Sequence, residues 1–327
     1  MAAISPVRIV EECQDKTVME ITNETGIAQL TKREIYPGID IVYLDAHIQQ
    51  FSCYAQPFPH VFAINHCEEG RVECEFQNGE FLYMGPNDMS VGWRSNEEFR
   101  HTTYFPRAHY HGLSIVFHVQ KAQPVVDRIL GDKTFDIAAL CNQFCQESDF
   151  GMIMEENKDM KHLFQELYHV PDAIQYPYCQ LKVVEILLML STIDSSKQKK
   201  KMCFTQKQVE IIKAIRARLV QNLQEKLTIE ELSEQYAMSQ TLVKRIFKGV
   251  YGTTIRQYLQ EYRVQEAQRM LLHTNESIVD VAMHVGYANC SKFAAAFKKH
   301  TGILPKEYRR IHQITHTYDL HASDGQL

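Results

Sequence analysis

Two segments in the C-terminal third share one residue pattern, and this internal repeat limits what the region can fold into. The first copy spans residues 227–252 and the second spans 276–302. Each copy opens with a hydroxyl residue followed three positions later by an acid, which is a capping pattern for a helix N-terminus. Each closes on a glycine, the usual end of a helix. A small residue near the middle, Ala237 or Gly286, favours a tight turn, so each copy predicts a pair of short helices.

The second helix of the first copy has one apolar and one polar face. Val243 and Phe247 are four residues apart and predict the buried side, as do Phe293 and Phe297 in the second copy. The opposite face of the first copy carries side chains suited to DNA: Gln240, Thr241, Lys244, Arg245 and Lys248. An apolar back and a basic, hydrogen-bonding front are typical of a recognition helix that lies in the major groove.

A single helix, Thr254–Leu271, is expected to connect the two copies. At 1.5 Å per residue it is roughly 27 Å long. Successive major-groove segments on one face of a duplex repeat about every 34 Å. One chain could therefore contact two groove segments without dimerising.

Charge is divided unequally along the chain. Residues 1–196 have 14 Lys and Arg against 28 Asp and Glu, whereas residues 197–310 have 21 against 10. A basic C-terminal region joined to an acidic N-terminal one indicates that nucleic acid is a partner of the C-terminal part only. The alternatives are a chance distribution of surface charge and a helical domain without a DNA partner.

The first 120 residues predict a sheet-rich domain. Short β-rich runs such as Arg71–Phe76 and Phe81–Met84 alternate with turn signals, and Asn78-Gly79 between these two runs predicts a hairpin. Several such runs at close spacing indicate an antiparallel barrel or jelly roll.

Residues 121–196 change to helical periodicity. Leu181–Ile193 is apolar on nearly every face, so it must be buried on more than one side. It is either core, or a homodimer interface together with the amphipathic helix around Met160–His169. A polar linker is expected at 197–206, and 311–327 is expected to be a tail.

At residues 207–310 the chain resembles the AraC/XylS family of bacterial regulators. The similar motifs are the LTIEEL opening, SxxxVKRxFK, YGTTIxxYLxxxR, VAxxVGY and FxxxFKKxxGxxPxxYR. The resemblance implies helix-turn-helix motifs at about 228–249 and 276–299, and upstream a cupin-like domain followed by dimerising helices. The expected fold is α+β and multidomain, with an N-terminal cupin-like β-barrel (1–120) with appended helices (121–196) and an all-α C-terminal domain with two helix-turn-helix motifs.

By register with family recognition helices, the base-contact positions of the first motif are Thr241, Lys244 and Arg245. Those of the second motif are Cys290, Ser291, Lys292 and Ala295. The other residues expected to contact DNA are Ser239, Gln240, Lys248, Lys298 and Lys299. Because many family members carry Arg at the position of Ala295, we expect the second motif mainly to hold phosphates.

His109 and His111 are the candidate ligand-binding residues. The run H-Y-H resembles the H-x-H of metal-binding cupins, and strand alternation places both histidines on the face of Leu113 and Ile115, the expected barrel interior. Gly112–Val116 contains no carboxylate to complete a cupin metal site. An organic-ligand pocket, satisfied core histidines and a metal site remain as alternatives, and no metal or cofactor is expected.

The combined expectation is a cytoplasmic, ligand-responsive transcription regulator that is not an enzyme. Its expected partners are double-stranded promoter DNA, a small-molecule effector, RNA polymerase if it activates, and a second copy of itself. No apolar run is long enough to span a membrane, and nine cysteines, an odd number, indicate free thiols.

Two competing functions belong to other classes. One is a metal-dependent cupin enzyme fused to a DNA-binding module, against which the missing carboxylate argues. The other is a DNA-repair protein with a reactive, zinc-bound cysteine. Such a site needs clustered ligands, and the N-terminal cysteines are too scattered to supply them: Cys13, Cys53, Cys67 and Cys74.

Overall fold

The structure, a computed structural model, describes residues 5–55, 60–75, 80–94, 99–131, 135–145, 152–154, 158–195 and 204–312. The chain forms two compact units, residues 1–205 and 206–327. The predicted Asn78-Gly79 turn and most of the predicted linker and tail lie outside the described residues.

Thirteen described strands belong to the first unit. In chain order they are β1 (Val7–Glu12), β2 (Lys16–Asn23), β3 (Gly26–Tyr36), β4 (Ile39–His47), β5 (Gln50–Ala55), β6 (Val61–Gly70), β7 (Val72–Glu75), β8 (Glu80–Met84), β9 (Met89–Arg94), β10 (Phe99–Tyr104), β11 (Tyr110–His118), β12 (Met152–Met154) and β13 (Phe204–Thr205). They pair into an antiparallel sheet of order β1-β2-β3-β4-β11-β6-β9-β12 and a smaller one of order β13-β8-β7-β10-β5. β7 and β8 pair on either side of the predicted hairpin turn.

Among the described strands there is no closed barrel. Each sheet ends at two edge strands, β1 and β12 in the larger and β13 and β5 in the smaller, whereas a barrel requires the sheet to close on itself. The coarser prediction of a sheet-rich N-terminal domain is confirmed. β12 lies within the region predicted to be helical, and its short strand extends the larger sheet beyond β9.

The two faces of the larger sheet bury different cores. On one face, Ala46 and Tyr110 pack with Phe51 of the smaller sheet. On the other, Ile41 and Leu113 pack under four helices. These are α1 (Val119–Leu130), α2 (Ile137–Phe144), α3 (Lys158–Tyr168) and α4 (Gln175–Ser191), with a 3-10 turn at Asp172–Ile174. Strand alternation therefore divides the unit into a sheet-on-sheet layer and a helix-on-sheet layer.

Helix α4 is apolar on two sides, as its sequence predicts. Val183, Ile186 and Leu190 are buried in the helix-on-sheet core. Leu181 and Leu188 point away from that core and are 72% and 41% exposed. Part of this segment is therefore core, and part is an uncovered apolar surface.

The second unit is helical. Its helices are α5 (Gln206–Gln221), α6 (Ile229–Gln235), α7 (Gln240–Tyr251), α8 (Ile255–His273), α9 (Ile278–His284) and α10 (Cys290–Thr301), and residues 305–312 are also helical. The predicted linker 197–206 is wrong at its end, because Phe204 is buried in β13 and Gln206 begins α5. Throughout the described residues, every helix is too short or too polar to cross a membrane.

A buried histidine lies beneath α3. The ring of His66 stacks on Phe164, with centroids 4.6 Å apart, and its Nδ1 lies 3.1 Å from the hydroxyl of Tyr168. Its Nε2 is buried without a hydrogen-bond partner among the described residues. Burial, with Lys161 nearby, lowers the pKa of His66 to about 4, so the folded unit excludes a second proton from this ring.

We expect the first unit to lose stability in mild acid because of His66. Its pKa is depressed in the folded state, so the unfolded chain takes up the proton first and stability falls as pH drops from about 6.5 towards about 4. At about pH 5 this contribution is about 2 kcal/mol. His66→Gln should remove it.

The measurement is urea unfolding of both proteins at neutral and mildly acidic pH, followed by fluorescence of the single tryptophan, Trp93 in β9. The variant should lose less stability on acidification than the wild type. Equal losses in the two proteins would show that His66 is not the acid-sensitive group.

Candidate nucleic-acid interface

The first helix-turn-helix unit is built from local signals that its sequence contains. Thr228 and Glu231 form a reciprocal capping box, in which the Thr228 hydroxyl accepts the Glu231 N–H at 3.2 Å and a Glu231 carboxylate oxygen accepts the Thr228 N–H at 2.7 Å. The hydrogen bonds that the Glu231 carboxylate accepts from the Thr228 N–H and from the Thr228 hydroxyl lower the pKa of Glu231. The turn passes through Ala237 at φ +49°. Ser239 then caps α7.

The second helix-turn-helix unit repeats this plan with three differences. Ser277 caps α9 by accepting the Asp280 N–H at 3.1 Å, and its hydroxyl donates to the Asp280 carboxylate at 2.6 Å, so this box is not reciprocal. Gly286, at φ +83°, makes the turn. Asn289, which is not among the predicted site residues, caps α10 by accepting the Lys292 N–H at 3.0 Å. Asparagine just before a helix is the signal that could have identified it.

Both second helices end on a left-handed glycine. Gly252 has φ +76°, and its N–H donates to the backbone carbonyl of Lys248. Gly302 has φ +82°, and its N–H donates to the backbone carbonyl of Lys298. The two stops predicted by the repeat are confirmed.

Both helix-turn-helix units pack against helix α8. On one side Phe247 of α7 packs edge-on against Tyr258 of α8 at 5.5 Å. On the other, Phe293 and Phe297 of α10 share a core cluster with Val264 of α8. Thr254 caps α8, which extends through His273, two residues beyond the predicted end.

Because one side of α7 and one side of α10 are buried, the opposite side of each helix faces solvent. Every predicted contact residue of the first motif is exposed: Ser239, Gln240, Thr241, Lys244, Arg245 and Lys248. So is every one of the second: Cys290, Ser291, Lys292, Ala295, Lys298 and Lys299. The first set lies on α7 and its N-cap and has Lys and Arg as cations, and the second lies on α10 and has only Lys. Exposed cations outside these helices, which the prediction omitted, include Arg256, Lys306 and Arg310.

His109 and His111 are not inside a barrel, and that prediction is wrong. Strand alternation places His111 on the face of Leu113, but this face packs under helices rather than between the sheets. The histidines lie at the strand end where neighbouring residues of that face are exposed. Their side chains are 37% and 31% exposed. Tyr110 between them points to the opposite, sheet-on-sheet core.

Two helix-turn-helix units in one compact domain, each with an exposed cationic second helix, define a DNA-binding protein. A family model described as a helix-turn-helix domain matches residues 232–311. Residues 232–311 are therefore a helix-turn-helix domain of the AraC type.

Three similar proteins illustrate this relationship. The bifunctional transcriptional activator/DNA repair enzyme AdaA of Bacillus subtilis is 39% identical over 98 residues, which are 30% of this chain and 46% of AdaA, so the chain spans less than half of that relative. The lactose operon transcription activator of Staphylococcus xylosus is 24% identical over 243 residues, 72% of this chain and 79% of the activator. The solved C-terminal domain of the two-component response regulator yesN from Fusobacterium nucleatum is 31% identical, with 31% of this chain and 96% of that domain covered and a TM-score of 0.28.

We expect Gly286→Ala to damage the second motif far more than Gly302→Ala. A Cβ at Gly286 would lie 2.0 Å from the Leu223 carbonyl oxygen, which also accepts a hydrogen bond from Arg263 at 2.8 Å. A Cβ at Gly302 would meet nothing within 4 Å. The free energy of unfolding should therefore fall by only about 1 kcal/mol in the Gly302 variant, because of left-handed backbone strain, and by more than about 2 kcal/mol in the Gly286 variant.

Differential scanning calorimetry of the full chain measures both losses. Because the two glycines have nearly the same φ, Gly302→Ala is the matched control for backbone strain. Similar losses in the two variants would mean that the contact with Leu223 is not what requires glycine.

Proposed function

We propose that this chain is a sequence-specific transcription regulator whose two helix-turn-helix units enter successive major-groove segments. The observation that carries the proposal is the exposed face of α7, on which Thr241, Lys244 and Arg245 stand opposite the fully buried Val243 and Phe247. A helix with such a face can enter the groove without disturbing its own core. Its arginine can bind guanine O6 and N7 with two hydrogen bonds.

In this proposal α7 and α10 have different roles, base discrimination and phosphate contact respectively. The middle of α10 presents Ala295, exposed, between the half-buried Ala294 and Ala296, and none of these side chains donates a hydrogen bond. Its exposed lysines, Lys298 and Lys299, lie in the last turn and suit phosphates. We therefore assign base discrimination mainly to α7. In α10 the side chains that can still contact base edges lie at its start: Cys290, Ser291 and Lys292.

The N-terminal unit is proposed to be a cupin-like sensor of a small-molecule effector. It is a separate compact unit with its own cores. The similarity to the lactose operon activator covers 243 residues, more than the second unit contains, so it extends into this unit. A regulator of this kind would contact RNA polymerase if it activates transcription.

Helix α4 is proposed to form a homodimer interface. Leu181, Val184 and Leu188 follow one another at three- and four-residue intervals, the spacing of a helix-pairing stripe. Leu181 and Leu188 are exposed and Val184 is half-buried. Covering these side chains with a second copy would remove apolar surface from water.

The first test of the proposed function is a binding selection on randomised DNA with the full chain. Arg245→Ala should cost about 1–3 kcal/mol on the selected site and relax the preference at one base pair. Lys298→Ala and Lys299→Ala should weaken binding to all sequences alike and each reduce the slope of log K against log salt by about 0.9. The reason is that guanine recognition depends on sequence and phosphate contact does not.

Arg128→Ala is the matched control, since it removes an exposed arginine from α1 of the other unit. It should leave both affinity and selected sequence unchanged. The assignment fails if Arg245→Ala selects the wild-type sequence, or if the half-site beneath α10 is the better defined.

Sedimentation of the full chain tests the dimer. The wild type should sediment as a dimer, and Leu181→Glu combined with Leu188→Glu should sediment as a monomer, because charges cannot be buried in the apolar interface. Ile129→Glu is the control, since Ile129 is 42% exposed on α1. A monomeric wild type, or a dimer that survives the double substitution, rejects the interface.

A further inference from the structure

Three histidines meet at one end of the larger sheet. His47 ends β4, His109 immediately precedes β11, and His111 lies within it. One ring nitrogen of each residue lies within 4.8 Å of the others. The Nδ1 atoms of His47 and His109 are 3.5 Å apart, and the three ring centroids are separated by 4.8 to 5.5 Å. The rings therefore enclose a common point rather than pointing apart.

Carboxylates hold the ring nitrogens that face away from this point. Glu69 lies 3.2 Å from Nε2 of His109. Asp45 lies 3.1 Å from Nε2 of His47 and 3.5 Å from Nδ1 of His111. A histidine that binds a metal through one nitrogen usually donates its other N–H to a carboxylate, which sets the tautomer and orients the ring. All three histidines have a carboxylate oxygen within 3.5 Å of that second nitrogen, and the contact of His109 with Glu69 is a hydrogen bond.

The backbone fixes part of the arrangement before any side chain moves. The Arg71 N–H donates to the His109 carbonyl at 3.3 Å. Gly70, at φ +78°, allows this approach, since a Cβ there would lie 2.0 Å from the same carbonyl oxygen. Glu69 and His109 are thereby held side by side. The bulge in the pairing of β6 with β11 lies at the same place, between His111 and Gly112.

We propose that His47, His109 and His111 bind a divalent transition-metal ion of the zinc type, with Asp45 and Glu69 as the orienting carboxylates. Three imidazoles are a donor set for such ions, and Zn–N bonds of about 2.0–2.1 Å in a tetrahedron require nitrogens roughly 3.3 Å apart. The closest pair, at 3.5 Å, is near this spacing. His47 is 61% exposed, so its ring has room to move towards the others.

This site differs from the one that the H-Y-H run predicts. It lies on the helix-facing side of the sheet, not in an interior pocket, and its third histidine comes from another strand. Gly112–Val116 contains no carboxylate, but Asp45 of β4 and Glu69 of β6 lie beside the histidines. In the proposed site these carboxylates orient the histidine ligands. Three protein ligands leave a fourth position for water or a small molecule. The proposal does not depend on the proposed DNA-binding function.

The test uses the full chain, freed of any affinity tag, with Co²⁺ and Zn²⁺ as probes. Titration with Co²⁺ should produce the visible absorption of a tetrahedral site at one equivalent, and Zn²⁺ should displace it. His47→Gln, His109→Gln and His111→Gln should each weaken Zn²⁺ binding by at least about 100-fold, since each removes a ligand. Asp45→Asn and Glu69→Gln should each weaken it by about 10- to 100-fold while keeping one equivalent.

His162→Gln is the matched control, because His162 is an exposed histidine of α3 outside the cluster. It should bind both ions like the wild type. Circular dichroism of each variant separates lost ligands from lost folding. Absence of saturable Zn²⁺ binding to the wild type, or binding that survives all three histidine substitutions, overturns the site and leaves a hydrogen-bonded histidine cluster.

Discussion

The C-terminal unit depends on the burial of the apolar sides of α7 and α10 against α8. Phe247, Phe293 and Phe297 have no exposed surface, and burying each such ring stabilises the fold by about 1.5–3 kcal/mol. A helix with one side held in this way has no freedom to rotate. Its polar side must face solvent, which is why the cationic residues of both helices are exposed together. The exposure of these cations is thus a consequence of packing, and the helix caps set where α7 and α10 begin.

The N-terminal unit uses the alternation of strands for two purposes. One face of the larger sheet packs on the smaller sheet and the other packs under four helices. Along β4 and β11 the helix-facing side chains change from apolar residues, such as Ile41 and Leu113, to the histidines His47 and His111. The same strands that build the core therefore also bring polar side chains together at its end. Tyr43 marks the change, since its hydroxyl donates to the Leu167 carbonyl at 3.0 Å.

Local sequence signals were sufficient to predict the features that form between residues close together in the chain. The capping box at Thr228, the turn at Gly286 and the stop at Gly302 all act over a few residues, so their meaning does not depend on the rest of the fold. The amphipathic pattern of α7 likewise shows its outward face directly. Asn289 was missed although its signal is equally local. The predicted barrel had no such basis, because closing a sheet depends on which strands pair over long separations.

The sequence by itself determined the DNA-binding half of this protein: two capped helix pairs, their buried backs and their cationic fronts. Only the tertiary structure decided which side of the larger sheet the helices cover, and so whether His109 and His111 lie inside or at the surface. It also decided that His47, 62 positions before His109, meets them. The physical reason is that a helix cap is made within one turn of chain, whereas strand pairing joins distant segments through backbone hydrogen bonds that any residue can make.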